Sequence, residues 1–418
     1  MNDAFTYRDG RLLCESVSVA DLAREAGTPC YIYSRAAIEG AYRQIAEAFA
    51  PAEPLVCYSV KANGNLAILR LLRDLGAGFD IVSAGELFRV ERAGGDAGKV
   101  VFAGVGKTEQ EIRRALQAGI LMFNVESESE LALIDRVAGA LGTRARVALR
   151  LNPDVDAHTH HYITTGKKET KFGIDFDTAR ALVARIAAFS HVRLVGYHAH
   201  VGSQVTDPGP HVASLQKVID FAVSCTPSNS AIEYLNIGGG FGIDYEPGQA
   251  KPPAAFAELL LPLILPTGRK LVMEPGRYIV GNAGILVTRV AHLKETPEHR
   301  FVICDAAMND LIRPALYHAF HRIWPVLGEE SVEDDGLVPA DVVGPVCESG
   351  DFFAKQRPLP AVAQDDLLAI FSAGAYGFSM SSNYNARPRP CEVLVDGTEY
   401  RVVRRRETYE DLVQQETL

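Results

Sequence analysis

The stretch Val56-Cys57-Tyr58-Ser59-Val60-Lys61-Ala62-Asn63 is an apolar run that stops on a lysine. If the run is a parallel strand in a repeating strand–helix pattern, Lys61 stands at its C-terminal end, where such folds place their chemistry. An amine there can be desolvated, lose its charge and attack a carbonyl carbon. The octapeptide alone equally admits a lysine snorkelling at a strand edge. Two more stretches bear on the choice. Tyr234-Leu235-Asn236-Ile237 runs into Gly238-Gly239-Gly240, a loop that exposes backbone N–H groups to an anion, and the next apolar run ends in Glu274-Pro275-Gly276-Arg277. Singly these are weak, since glycines also make tight turns and EPGR reads equally as a salt-bridged corner. Together they supply an amine, a phosphate cradle, a carboxylate and a guanidinium. That is the set pyridoxal phosphate needs: an amine for its aldehyde, a carboxylate for its pyridine nitrogen and a cradle for its phosphate.

The elements that must position these groups follow a regular alternation. Strand patterns fall at 55–60, 79–82, 100–103, 121–125, 146–151, 194–200, 234–237 and 270–273, eight in all. Helical periodicity separates them at 66–75, 84–93, 108–118, 128–140, 178–189 and 211–223. Eight such units fit an α/β fold, a (β/α)8 TIM-like barrel whose mouth gathers the loops after all the strands. A doubly wound sheet competes, but it more often has a Gly-rich first turn, which this chain lacks. After Gly276 the pattern becomes β-rich, at 278–294, 301–305, 341–346 and 367–373, with a last hairpin at Asp396-Gly397 and one helical turn within 309–323. This reads as a second, all-β domain. The start of the chain, a hairpin over 5–15 turning at Asp9-Gly10 and a short helix at 19–26, has no place in the barrel and is assigned to the β-domain. The expected division is 30–276 for the barrel against 1–29 with 277–418.

Composition narrows the function. With 418 residues, two domains are expected; 47% hydrophobic and 22% charged residues are those of a globular protein without a membrane span. The most apolar piece, 256–266, is short and broken by Pro262. No basic region followed by an apolar one opens the chain, and seven cysteines without CxxC spacing suit free thiols, so a cytoplasmic location is expected. A net charge of -10 disfavours nucleic acid and anionic membranes as partners. The basic run 401–406, interrupted by valines, reads as a solvated strand face. Gly104-Val105-Gly106-Lys107-Thr108 looks like the end of a nucleotide-binding loop, but Val101 stands where that loop needs glycine. His158, His160 and His161, with His198 and His200, lack a spaced acidic partner, so no metal is expected.

In order, and across essentially the whole chain, YSVKAN, HVGSQ, GGGFG, EPGR, CESGD and GAYGFSMSSNYNARPRP resemble the fold-type III pyridoxal-phosphate decarboxylases. Within them the motifs are most similar to the branch that decarboxylates meso-diaminopimelate to L-lysine and CO2 in lysine biosynthesis. The resemblance implies pyridoxal 5'-phosphate attached to Lys61, His200 stacked on its ring and Glu274 on its ring nitrogen. It implies Ser203, Gly239, Gly240 and Tyr376 at the phosphate, with Asp80 and Arg150 near the lysine. Arg277, Arg313, Tyr317, Glu348 and Tyr376 would bind substrate. Cys347 and Glu348 would reach the active site of a partner subunit in a homodimer.

These roles are chemically coherent. The electron pair left by CO2 is delocalised only while the ring nitrogen stays protonated, which a buried carboxylate secures. A thiol at Cys347 could return a proton to the product, although a free cysteine is more often a small buried hydrophobe. Diaminopimelate has an amino acid at both ends, so its distal carboxylate calls for Arg277 and Arg313 and its distal ammonium for Glu348. Arg313 could instead be a surface helix charge. A sibling acting on lysine, ornithine or carboxynorspermidine would place an acid where Arg313 stands. A non-catalytic homologue would have lost Lys61, Glu274 or Cys347.

Overall fold

The computed structural model describes residues 4–155, 171–225, 232–331, 333 and 336–418. His158, His160 and His161 lie outside the described residues. The chain divides into two compact units, one of Met1–Gly40, Asp244–Pro247 and Ile279–Leu418, the other of Ala41–Ile243 and Gly248–Tyr278.

The second unit is a closed barrel of eight parallel strands: Leu55–Ser59, Gly78–Ile81, Val100–Phe102, Met122–Val125, Ala145–Arg150, Val192–His198, Tyr234–Asn236 and Lys270–Met273. Each lies within a residue or two of its expected place. Their near-continuous apolar runs are buried on both faces, one by the barrel interior and one by helices, which is why period-2 alternation is absent. The barrel closes where Val272 and Met273 pair with Leu55 and Val56. Polar side chains after successive strands start the helices. Asn65 accepts from the Ala67 N–H, Ser83 from Glu86, Thr108 from Glu111 and Ser127 from Glu130. The helix Pro253–Ile264 continues through Pro262, contrary to the expected break, and the carbonyl that loses its donor there belongs to exposed Glu258.

The first unit holds a nine-stranded mixed sheet. Its main path runs Phe352–Pro360, Leu337–Val343, Arg300–Cys304, Gly284–Glu295, Cys30–Ser34, Cys391–Asp396 and Glu399–Arg404. Leu367–Ile370 pairs with Gly284–Glu295, and Ile323–Pro325 with Leu367–Ile370. Three differences from the sequence reading stand out. Cys30–Ser34, placed by that reading at the start of the barrel, is buried in the mixed sheet between Gly284–Glu295 and Cys391–Asp396. A fully buried strand looks the same from either sheet, so its pattern could not assign it. The N-terminal hairpin forms its own three-stranded sheet with Val17–Ser18 and is tied to the unit by Leu12 N–H to Val326 O at 2.8 Å and Ser16 N–H to Gly397 O at 3.2 Å. The unit also has, beside the expected short helices Val19–Ala26 and Arg313–Tyr317, a third that the sequence reading did not place, Tyr409–Val413. Within the basic run, Arg401, Val402 and Arg405 are exposed, whereas Arg404 is half-buried against Glu392. Among the described residues no helix is long and apolar enough to cross a membrane.

Candidate active site

Leu55–Ser59 ends in a single tight turn, Val60–Ala62, that lifts Lys61 into the barrel mouth. Its Nζ donates to Asp80 Oδ2 at 2.9 Å, and Ser59 Oγ donates to the same oxygen at 2.8 Å. Asp80 comes from the neighbouring strand, in register with Ser59. Its other oxygen, Oδ1, is buried with no hydrogen-bond partner among the described residues. Burial raises the proton affinity of Asp80, opposed by the Lys61 charge and reinforced by Glu274. A second acid, Glu86, accepts from the Val82 N–H at 2.7 Å and is pushed up to about 7 by burial, against the Val82 bond and Lys61.

Glu274, just after the end of Lys270–Met273, is also buried. Oε1 accepts from Asn124 Nδ2 at 2.7 Å and from Asn236 Nδ2 at 2.6 Å, and Oε2 lies 3.2 Å from His198 Nε2. Burial alone would raise its pKa, but His198, Lys61 and the Asn236 bond outweigh it and hold the carboxyl well below its usual range. Glu274 is therefore an anion prepared by three strands.

The glycine loop sits beside it. A Cβ on Gly239 would lie 2.0 Å from Glu274 O, and one on Gly240 2.4 Å from Gly202 O, so both positions exclude every other residue. The Gly239 N–H, which the sequence reading places at a phosphate, donates to His200 Nδ1 at 3.1 Å. Its carbonyl accepts from His211 Nε2 at 2.9 Å. Among the described residues the Gly240 N–H has no acceptor, so it is the donor the loop leaves for an anion. His200 is held well below its usual pKa by burial, then by Arg150 and Lys61, and so stays neutral, with its lone pair on Nδ1. Ser203 Oγ accepts from Arg277 Nη2 at 2.9 Å, which leaves the hydroxyl proton to donate. Arg150 is fixed by Glu126 at 2.7 Å. Behind it, Lys107 is buried against Glu130 at 2.7 Å and donates to Gly104 O and Asn124 O. The Gly104–Thr108 string is thus spent on structure.

These residues fit pyridoxal phosphate. The mouth offers an amine, a buried anion suited to a protonated ring nitrogen, a neutral imidazole and an open N–H on a loop too tight for any side chain.

The remaining expected residues belong to the first unit. Arg313 is buried at the start of Arg313–Tyr317, and half-buried Tyr317 ends the same helix. Tyr376 has a left-handed backbone, φ 57°, uncommon for a tyrosine, in a turn where a Cβ on Gly374 would meet Val280 O at 1.9 Å. Cys347 and Glu348 are exposed. Their loop is built on Asp351, whose carboxylate accepts from the Met308 and Val346 N–H groups at 2.7 Å each, and the Cys347 N–H donates to Asn385 Oδ1 at 2.8 Å.

Comparison with known proteins bears on what this arrangement serves. Residues 35–281 match the family model described as pyridoxal-dependent decarboxylase, pyridoxal binding domain. The chain is 50% identical to diaminopimelate decarboxylase of Pseudomonas aeruginosa over 418 residues, covering 100% of this chain and 99% of that relative. The chain belongs to the diaminopimelate decarboxylase family. Solved members superpose closely. The enzyme of Helicobacter pylori, in complex with L-lysine, has a TM-score of 0.90 at 41% identity, covering 95% of this chain and 98% of that one. That of M. jannaschii, also with L-lysine, has a TM-score of 0.93 at 40% identity, covering 100% and 98%.

For a pyridoxal-dependent decarboxylase, the sequence reading left out Asn124, Asn236, His198, Glu126 and Glu86. The amides carry a usable signal. Asn124 and Asn236 interrupt the apolar strands Met122–Val125 and Tyr234–Asn236, and a buried barrel strand tolerates an amide only where it finds a partner. Glu126 directly follows Met122–Val125 and Glu86 lies in the first turn of the helix Ala84–Arg92, so both read as ordinary acids near a helix start.

Proposed function

We propose that this chain is a cytoplasmic, homodimeric carboxy-lyase that converts meso-diaminopimelate to L-lysine and CO2. The observation that supports it best is the joint presence, in one barrel mouth, of a reachable amine on Lys61 and a buried carboxylate on Glu274 that its neighbours keep ionised. The substrate rests on the full-length likeness to diaminopimelate decarboxylases.

When bound, pyridoxal phosphate supplies the sink for the electron pair left by the departing carboxylate. Lys61 would hold it at its aldehyde end and Glu274 would pair with its ring nitrogen. His200 would lie against its ring, and Ser203, Gly240 and Tyr376 would hold its phosphate, with Gly239 shaping the loop. Asp80 takes a hydrogen bond from Lys61 Nζ and orients it. Burial, helped by the charges of Arg150 and Lys61, keeps His200 neutral. Arg277, Arg313 and Tyr317 bind the distal carboxylate of the substrate and Glu348 its distal ammonium. Cys347 Sγ gives the proton that replaces the lost carboxylate, in the site of the partner subunit.

The deciding experiment is CO2 release from purified holoenzyme on a panel of meso-diaminopimelate, lysine, ornithine and carboxynorspermidine. Turnover confined to diaminopimelate is expected. Comparable turnover of lysine or ornithine would favour a sibling decarboxylase, and a colourless protein that takes up no pyridoxal phosphate would reduce the chain to a non-catalytic homologue.

A further inference from the structure

The glycine loop is held from behind by His211. This residue stands in the first turn of the helix Gly209–Cys225, at whose start Asp207 accepts from the Gly209 N–H at 2.9 Å. It is 3% exposed, its ring stacked on Phe241 with centres 5.2 Å apart and edge-on to Phe256 at 5.3 Å. Nε2 lies 2.9 Å from Gly239 O. A carbonyl only accepts, so Nε2 carries the hydrogen and Nδ1 the lone pair. Among the described residues the buried Nδ1 has no hydrogen-bond partner. Between two phenylalanines a third apolar side chain would strand no polar atom, so packing alone gives no reason for an imidazole. The bond to Gly239 O gives one.

That oxygen belongs to the same peptide unit as the Gly240 N–H. The unit is planar and trans, so its C=O and N–H point in opposite directions and fixing one aims the other. With the carbonyl drawn toward the helix that carries His211, the N–H faces away from that helix. Gly239 is buried and Gly240 half-buried. A restraint is needed here, because glycine on both sides leaves the unit free to rotate, and Gly240, at φ 94°, takes a backbone that other residues rarely adopt. Neighbouring bonds hold the two ends, Gly239 N–H to His200 Nδ1 at 3.1 Å and Val205 N–H to Gly240 O at 2.8 Å. Among the described residues the only hydrogen bond on the unit itself comes from His211.

We infer that His211 is a positioning residue for the cofactor phosphate: by holding Gly239 O it aims the Gly240 N–H at the phosphate before the cofactor arrives. Prior alignment removes part of the ordering cost of binding. This rests on the place proposed above for the phosphate at Gly240 and extends it to a side chain that meets no cofactor atom.

The test uses full-length wild type, His211→Phe and His211→Gln, each freed of cofactor and titrated with pyridoxal phosphate and with pyridoxal, which lacks only the phosphate. Binding is read by cofactor absorbance. Phenylalanine keeps a ring and loses the donor, whereas glutamine offers an amide N–H at a similar reach. The Kd for pyridoxal phosphate is expected to rise about ten-fold in His211→Phe and to stay within about three-fold of wild type in His211→Gln, while that for pyridoxal changes by less than about two-fold in both. Thermal melting reports folding, and His211→Leu takes the place of His211→Phe if the latter does not fold. If His211→Phe binds pyridoxal phosphate as wild type does, or weakens pyridoxal by the same factor, or is no worse than His211→Gln, His211 only packs and the inference falls. A wild type that binds pyridoxal as tightly as pyridoxal phosphate would remove the phosphate cradle itself and the inference with it. A wild-type preference for the phosphate that survives in His211→Phe removes the inference alone.

Discussion

Lys61 and Cys347 are both proposed to act at the reacting carbon, yet their surroundings are opposite. Lys61 is 38% exposed as a side chain but stands on a floor where Asp80 and Glu274 are buried and engaged by groups from several strands. Cys347 is exposed, on a loop whose backbone is held by Asp351 and Asn385 while its thiol meets solvent. The barrel mouth is preorganised by one chain, and low-dielectric surroundings make its charges act strongly. An exposed thiol has no such advantage until something covers it. The contrast teaches that the two halves of the proposed chemistry need different things: the first a folded barrel, the second a covering surface, which a second copy of the chain would supply.

The largest effect tests the barrel half. Lys61→Ala should fold, since the side chain is partly exposed and stands at a strand end, but turnover should fall by at least about a thousand-fold. Borohydride should no longer fix the cofactor to the protein, and circular dichroism should match wild type. Retained activity would end the assignment of Lys61.

A mixing experiment then sharpens the contrast itself. Cys347→Ala should be inactive alone, like Lys61→Ala. Subunit exchange between the two inactive proteins should restore roughly a quarter of wild-type activity, because some heterodimers contain one intact site. No recovery after exchange has been demonstrated by mass would place both residues in the site of a single chain, and an active Cys347→Ala would show the thiol to be dispensable.

The smallest effect concerns the support of the glycine loop. His211 is buried between Phe241 and Phe256, donates to Gly239 O, and is pushed down to about 4 by burial. Its unfolded-state pKa is 6.5, so below that pH the unfolded chain takes up a proton that the native one refuses, and stability is lost as pH falls from 6.5 toward 4. Between pH 7 and pH 5 this amounts to about 2 kcal/mol. Urea unfolding of wild type and His211→Phe at both pH values should show a steeper loss in wild type. Equal slopes would mean that His211 is not the neutral, buried group described.

Much of this protein was legible in its sequence, because the decisive patterns are local. Eight apolar runs separated by helical periodicity specify a barrel whether or not one knows which runs touch. Lys61, Gly238–Gly240 and Glu274 each stand at the end of such a run, so their place at the mouth follows from strand direction alone. Side-chain capping by Ser83, Thr108 and Ser127 is likewise written within three residues. What tertiary structure decided is convergence. Asn124 and Asn236 meet on Glu274 from 150 and 38 residues away. Cys30–Ser34 joins strands whose residues lie more than 250 positions later. His321 finds Arg313 only because His318 reverses the chain. Periodicity records that a side chain is buried, since burial depends on its own face of its own element. It does not record the partner, which is fixed only when barrel closure and sheet order bring distant ends together and each buried polar atom must find its hydrogen bond there.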